Sequence, residues 1–195
     1  MELSTSLQEH LERSAMLHSR LCPRQVLGVR MARLACVLLG IDPALERKSI
    51  YVYMEIGRCA ADAVMVVTGA SPTNELMQLV GYGKVAATFV SRSSGEAVRL
   101  SERHDCREIA VQTMPMLPAW EAQRDAYQMM PDHQLFNWQP VLLREPLPVI
   151  SEKHSVTCQT CGDRIHERAE VIVEGKVVCK ACTSSAYFVC PAVIS

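Results

Sequence analysis

The chain has 195 residues, of which 49% are hydrophobic and 21% charged, and its formal net charge is −1. That length suits one domain with an appendage or two small domains, and the balanced charge argues against a basic nucleic-acid binder. Aromatic residues make up only 5%, so a core must rest on aliphatic side chains and methionine, with apolar material left over for a subunit interface.

The N-terminal MELSTSLQEH is polar and acidic, unlike a secretory leader. The most apolar stretches, 26–41 and 60–69, are broken by Arg30, Arg33 and Asp62 or are too short to span a bilayer. The expectation is a soluble cytoplasmic chain that does not engage a membrane. Nine cysteines in such a compartment favour metal ligation over disulfides.

In chain order, residues 3–20 read as a helix, with Leu3, Leu7, Leu11 and Ala15 recurring at i+4. Pro23 opens a second helix with an apolar face of Val26, Leu27, Met31, Leu34, Ala35 and Leu38, and Gly40 ends it. Residues 49–56 (SIYVYMEI) are β-branched and aromatic, hence a strand. Residues 59–67 suit a short buried helix. Ser71-Pro72 is a cap and first-turn pair that predicts another short helix over 72–80. Residues 84–91 and 96–100 are strands joined at Ser93-Ser94-Gly95. Residues 106–130 are largely helical, with breaks at Pro115 and Pro118, and 139–144 form a last short strand. Pro140, Pro146 and Pro148, followed by polar 151–155, mark a linker. They divide the chain into a mixed helix-and-sheet core over 1–148 and a small domain over 149–195.

The tail carries Cys158-Gln159-Thr160-Cys161, seventeen residues, then Cys179-Lys180-Ala181-Cys182. This spacing is that of four-cysteine zinc sites. Each C-x-x-C turn aims two sulfurs at one centre, and two turns complete a tetrahedron of thiolates about 2.3 Å from Zn(2+). Glu174-Gly175 is expected to join a hairpin over 169–179, and Cys182 to open a helix over 183–187, a treble-clef-like arrangement. So few large apolar residues cannot hold forty positions by burial, so the metal is structural. Two redox C-x-x-C pairs are the competing reading, but nothing thioredoxin-like surrounds them. Cys190 reads as a packing thiol. Arg164, Arg168, Lys176 and Lys180 balance Asp163, Glu167, Glu170 and Glu174, so the finger is expected to contact protein rather than phosphate.

His18, Cys22, Cys59 and Asp62 form a second constellation, at the ends and starts of predicted helices. Such groups can converge on a soft metal, and a thiol at a helix N-terminus is acidified. Taken singly, each is equally an ordinary packed cysteine or satisfied histidine. The same residues offer a thiol enzyme using Cys22 or Cys59 with His18, but no oxyanion-stabilising motif accompanies them. No residue is assigned a catalytic role. Gly81-Tyr82-Gly83-Lys84 lacks the spacing of a phosphate loop.

The run His18-Ser19-Arg20-Leu21-Cys22-Pro23-Arg24 with Leu27-Gly28-Val29-Arg30 resembles the H-G-H-x-C-P-G…G-x-R opening of the FmdE family of formylmethanofuran dehydrogenase proteins. Gly57-Arg58-Cys59-Ala60-Ala61-Asp62-Ala63 resembles its C-x-x-D-A segment, Thr68-Gly69-Ala70-Ser71 its T-G-C-T, and Gly83-Lys84-Val85-Ala86 its G-K-x-A strand. The resemblance runs from about residue 10 to residue 188. It implies an α+β core followed by a zinc finger, an intertwined homodimer, and a metal held in the core by the His and Cys motif residues. It also raises an accessory role beside a molybdenum or tungsten oxidoreductase. Three positions depart from the pattern: Arg20 replaces the second His, Arg24 the Gly, and Ala70 the Cys. A fixed positive charge near the site opposes a cation, so a retuning toward an anionic ligand is expected.

Overall fold

The computed structural model describes residues 1–148, 154–183 and 186–188. The chain divides into two compact units, Met1–Pro148 and Val149–Ser195.

In the first unit, helix α1 (Leu7–Met16) starts where Ser6 Oγ accepts the Glu9 N–H at 3.1 Å. It is shorter than the predicted 3–20, and its buried residues are His10, Leu11 and Ser14, with Leu7 and Ala15 half-buried beside them. Two of those three are polar, and helix α2 (Pro23–Leu39) satisfies them. Gln25 Nε2 donates to Ser14 O at 2.6 Å, and Arg33 Nη1 donates to His10 Nδ1 at 2.9 Å. Pro23 and the left-handed Gly40 (φ 68°) bound α2 as expected.

Strand β1 (Ile50–Met54) leads into helix α3 (Cys59–Thr68), which packs along α2. Their approach depends on Gly28, because a Cβ there would lie 2.6 Å from Ala60 O and 2.8 Å from Ala63 Cβ. The helix expected over 72–80 is one 3-10 turn, Pro72–Asn74, followed by strand β2 (Met77–Leu79). Glu75 turns left-handed (φ 59°) and ends the turn. Met77 then pairs with Val52 in parallel register, so a distant strand overrides the local cap signal.

Strands β3 (Ala86–Ser91) and β4 (Ala97–Glu102) form the predicted hairpin. Helices α4 (Cys106–Thr113) and α5 (Ala119–Met129) flank the proline break, and a short α6 (Asp132–Leu135) precedes β5 (Phe136–Val141). The last strand thus begins three residues earlier than its sequence suggests. The sheet order is β2-β1-β3-β4-β5, with β1 and β2 parallel and the other pairs antiparallel. Pro140 lies in β5, at the sheet's edge, where a missing N–H breaks no ladder. On one face Tyr53, Thr88 and Arg99 align. There Arg99 clasps the buried Glu55 with two bonds, of 2.6 and 2.9 Å.

Among its described residues the second unit has two hairpins. Strands β6 (Ser155–Thr157) and β7 (Arg164–His166) form one, which the sequence pattern does not announce. Strands β8 (Glu170–Val173) and β9 (Lys176–Cys179) form the other, through Glu174 and Gly175, both at positive φ. Lys180–Cys182 is a 3-10 turn, and Thr183 leaves it extended rather than opening the expected helix. Ser184, Ser185 and Cys190 lie outside the described residues. The buried apolar cluster is small: Cys158, Ile165 and Val178, with Val156, Val171 and Val177 against it.

Candidate metal centre

The first C-x-x-C sits in the loop between β6 and β7, and the second runs from the end of β9 into the 3-10 turn. The loop is closed by the Gly162 N–H to Cys158 O at 3.0 Å and the Cys158 N–H to Asp163 O at 2.9 Å. Gly162 takes φ 81°, a path that glycine follows without strain.

The four sulfurs of Cys158, Cys161, Cys179 and Cys182 all lie within 4.8 Å of one another, and Cys161 Sγ is 3.8 Å from Cys179 Sγ. Four sulfurs about 2.3 Å from a common centre have tetrahedral edges of about 3.8 Å, so the donor set fits a metal ion. Backbone N–H groups of Cys161 and Cys179, with that of Thr160, draw the Cys158 thiol down to about 6. Hydrogen bonds to the Cys179 and Cys161 sulfurs push Cys182 up to about 12. Without a cation the sulfurs therefore resist full ionisation, and a divalent ion at their centre removes that resistance. Among the described residues, this is the cluster in which three or more ligand atoms come so close.

The core constellation assembles as two pairs. His18, two residues beyond α1, bonds Asp62 of the first turn of α3, Nε2 to Oδ2 at 2.8 Å. Cys22, at the start of α2, has its thiol against Cys59, the first residue of α3. Burial pushes the Cys22 thiol up, and the neighbouring Cys59 adds to this. The acidified helix-start thiol expected from sequence is thus overturned, because desolvation outweighs the backbone N–H groups. Arg20 turns aside: its guanidinium carbon lies 5.1 Å from the Trp120 ring centre. Ala70 is fully buried.

A cavity of about 220 Å³ takes Cys22, Arg24 and Leu27 from the first motif, while Glu102, Arg107, Trp120 and Gln123 of its other walls belong to no motif. Arg24 stands out there as a departure from the family pattern, but its partners lie some eighty to one hundred positions away. No local spacing signals such a grouping.

A mixed α+β core and a tail with a four-cysteine cluster suited to metal define the class of protein. The family model described as "FmdE, Molybdenum formylmethanofuran dehydrogenase operon" matches residues 17–140, and the chain belongs to that family. The match stops before the tail, so the cysteine cluster rests on this chain's own geometry. A protein of Archaeoglobus fulgidus described as a probable S-adenosyl-L-methionine-binding protein is 32% identical over 99 residues, which is 49% of this chain. The matched stretch is 27% of that relative's length. The crystal structure of an FmdE-like protein of the tungsten formylmethanofuran dehydrogenase type, from Syntrophus aciditrophicus, is similar at TM-score 0.67 and 20% identity. The likeness covers 95% of this chain and 96% of that one, and it is a likeness of fold.

Proposed function

We propose that this FmdE-family chain is a zinc protein with a regulatory or interaction role, acting as a homodimer. Its core, 1–148, binds a metal or small ligand, and its zinc-finger domain, 149–195, contacts a protein partner. The observation that carries this reading is the convergence of four cysteine sulfurs at tetrahedral spacing. Four thiolates leave a zinc ion no open position, so the ion serves the fold of the tail rather than a reaction.

Four further features support the reading. In the eight described cysteines no disulfide forms, which fits a reducing cytoplasm. Among the described helices none is long and apolar enough to cross a membrane. The β5 edge carries Trp138 and the almost fully exposed Leu142 beside Leu38, around an apolar cleft of about 410 Å³, a surface that a second copy would cover. On the tail, Ile172 and Tyr187 are exposed and suit a protein contact.

Native mass spectrometry with metal analysis tests this directly. A dimer mass is expected, with zinc lost from the finger in Cys158→Ala/Cys161→Ala. Any metal still bound to that variant belongs to the core. Protein free of zinc whose tail stays ordered in strong chelator would refute the reading. The family's description favours one alternative, an accessory component of a molybdenum or tungsten formylmethanofuran dehydrogenase-type oxidoreductase. Co-purification with such an enzyme would replace the lone homodimer.

A further inference from the structure

The cavity beside Cys22 gathers charges that the surrounding protein leaves unneutralised. Arg24, from the first turn of α2, and Arg107, from α4, line it and are exposed. Neither is among the ion pairs of the described residues. Arg20 lies over the face of Trp120 and is likewise free of a carboxylate, whereas Arg124 on the same ring is neutralised by Asp125. Against the two guanidinium groups that line it, Arg24 and Arg107, the cavity offers one carboxylate, Glu102. Its Oε1 accepts the Cys106 thiol at 3.4 Å, and it is in none of the ion pairs of the described residues. Trp120 and Leu27 supply apolar wall, and Gln123 an amide.

We propose that this cavity binds a small aromatic monocarboxylate bearing a ring hydrogen-bond donor. The inference names the ligand class for the core's binding role and rests on that reading. Guanidinium forks match a carboxylate in plane and charge, which assigns the anionic end to Arg24 and Arg107. The part of the Trp120 indole that lines the cavity, with Leu27, gives a flat ring its apolar contact. Glu102 repels a multiply charged anion and accepts from a hydroxyl or amine, so it selects one negative charge with a donor opposite. A volume of about 220 Å³ falls below the roughly 300–1,000 Å³ of sites for drug-sized ligands, which fits a single ring.

The chain contains two tryptophans, Trp120 and Trp138, so Trp138→Phe leaves Trp120 as sole reporter. The full-length variant is titrated with 4-hydroxybenzoate, and separately with inorganic phosphate, by indole fluorescence and calorimetry. Saturable binding of 4-hydroxybenzoate is expected. It should weaken by about tenfold or more in Arg24→Ala and in Arg107→Ala, and weaken in about 0.5 M salt. Both arginines are exposed, so unchanged melting of the variants shows that the fold is intact. Three results overturn the site: no saturable signal up to about 10 mM, equal affinity in the arginine variants, or phosphate bound as tightly. Metal uptake by Cys158→Ala/Cys161→Ala, measured in parallel, separates the two proposals. A core that ignores 4-hydroxybenzoate yet loads a metal ion loses the carboxylate site and keeps the binding role.

Discussion

Gly28→Ala should destabilise the core although it replaces a helix-interior glycine by the best helix former. Propensity alone favours alanine by about 1 kcal/mol. The added Cβ, however, would sit 2.6 Å from Ala60 O, 2.8 Å from Ala63 Cβ and 3.1 Å from Ala60 Cα. Two of these neighbours are backbone, so no rotamer change relieves them. Restoring ordinary contact requires α3 to retreat by most of an ångström, which opens gaps along a packed helix pair. Overpacking of this kind costs about 3 kcal/mol, leaving a net loss of about 2 kcal/mol. For a unit of this size that lowers the melting temperature by about 6 °C. Circular dichroism melts of wild type and variant, with urea titrations for the free energy, give the comparison. Adding Ala63→Gly should recover little, because the Ala60 carbonyl remains. A Gly28→Ala protein that melts at or above wild type would refute the close-packing argument.

Arg30 caps the end of α5, donating to Tyr127 O, Gln128 O and Met130 O and pairing with Asp132. Arg30→Ala should cost about 3 kcal/mol in urea unfolding, and Arg30→Lys a large part of that, since an ammonium lacks the fork. His10 is held down to about 4 by burial first, then by Arg33 and Arg13, with Asp42 pulling the other way. Because the folded value lies below the unfolded one, this contribution is complete above about pH 6.5 and is lost as pH falls toward 4. It amounts to about 3 kcal/mol at most, and His10→Asn, which keeps an acceptor for Arg33, should flatten the stability–pH curve over that window. Cys158→Ala should bring the metal content of the tail from about one ion per chain to none, and expose 154–183 to proteolysis while the core melt is unchanged.

Much of this was readable where chemistry is local. Pro23 and Gly40 bound α2, Ser93-Ser94-Gly95 makes a hairpin, and the two C-x-x-C turns bring their sulfurs together. The failures in the core share one cause, interactions reaching far along the chain. The Ser71-Pro72 cap is real, but Met77 belongs to a strand recruited by Val52. The i+4 leucines of α1 mark a packed face but not the buried His10 and Ser14 beside it, whose polar groups are satisfied by Arg33 and Gln25 of the next helix. Strands β6 and β7 are three residues each, too short for alternation to register. The four residues proposed as core ligands lie as two pairs, His18–Asp62 and Cys22–Cys59, a division that no spacing in the sequence shows.

That division ties the core's chemistry to its packing. Cys22 and Cys59 begin α2 and α3, and Gly28 and Ala60, at which those helices touch, lie within two turns of the thiols. The separation of the two sulfurs is therefore set by a helix contact that tolerates no extra carbon. Metal–ligand distances tolerate only about ±0.2 Å, several times less than the retreat that Gly28→Ala demands of α3. Any metal that the core takes between these thiols should therefore bind more weakly in Gly28→Ala, even at temperatures where the variant is fully folded. Cobalt(II) titration in a Cys158→Ala/Cys161→Ala background, followed by thiolate charge-transfer absorption, isolates the core from the tail. Equal cobalt affinity with and without the added methyl would show that the thiols are positioned by something other than the α2–α3 contact.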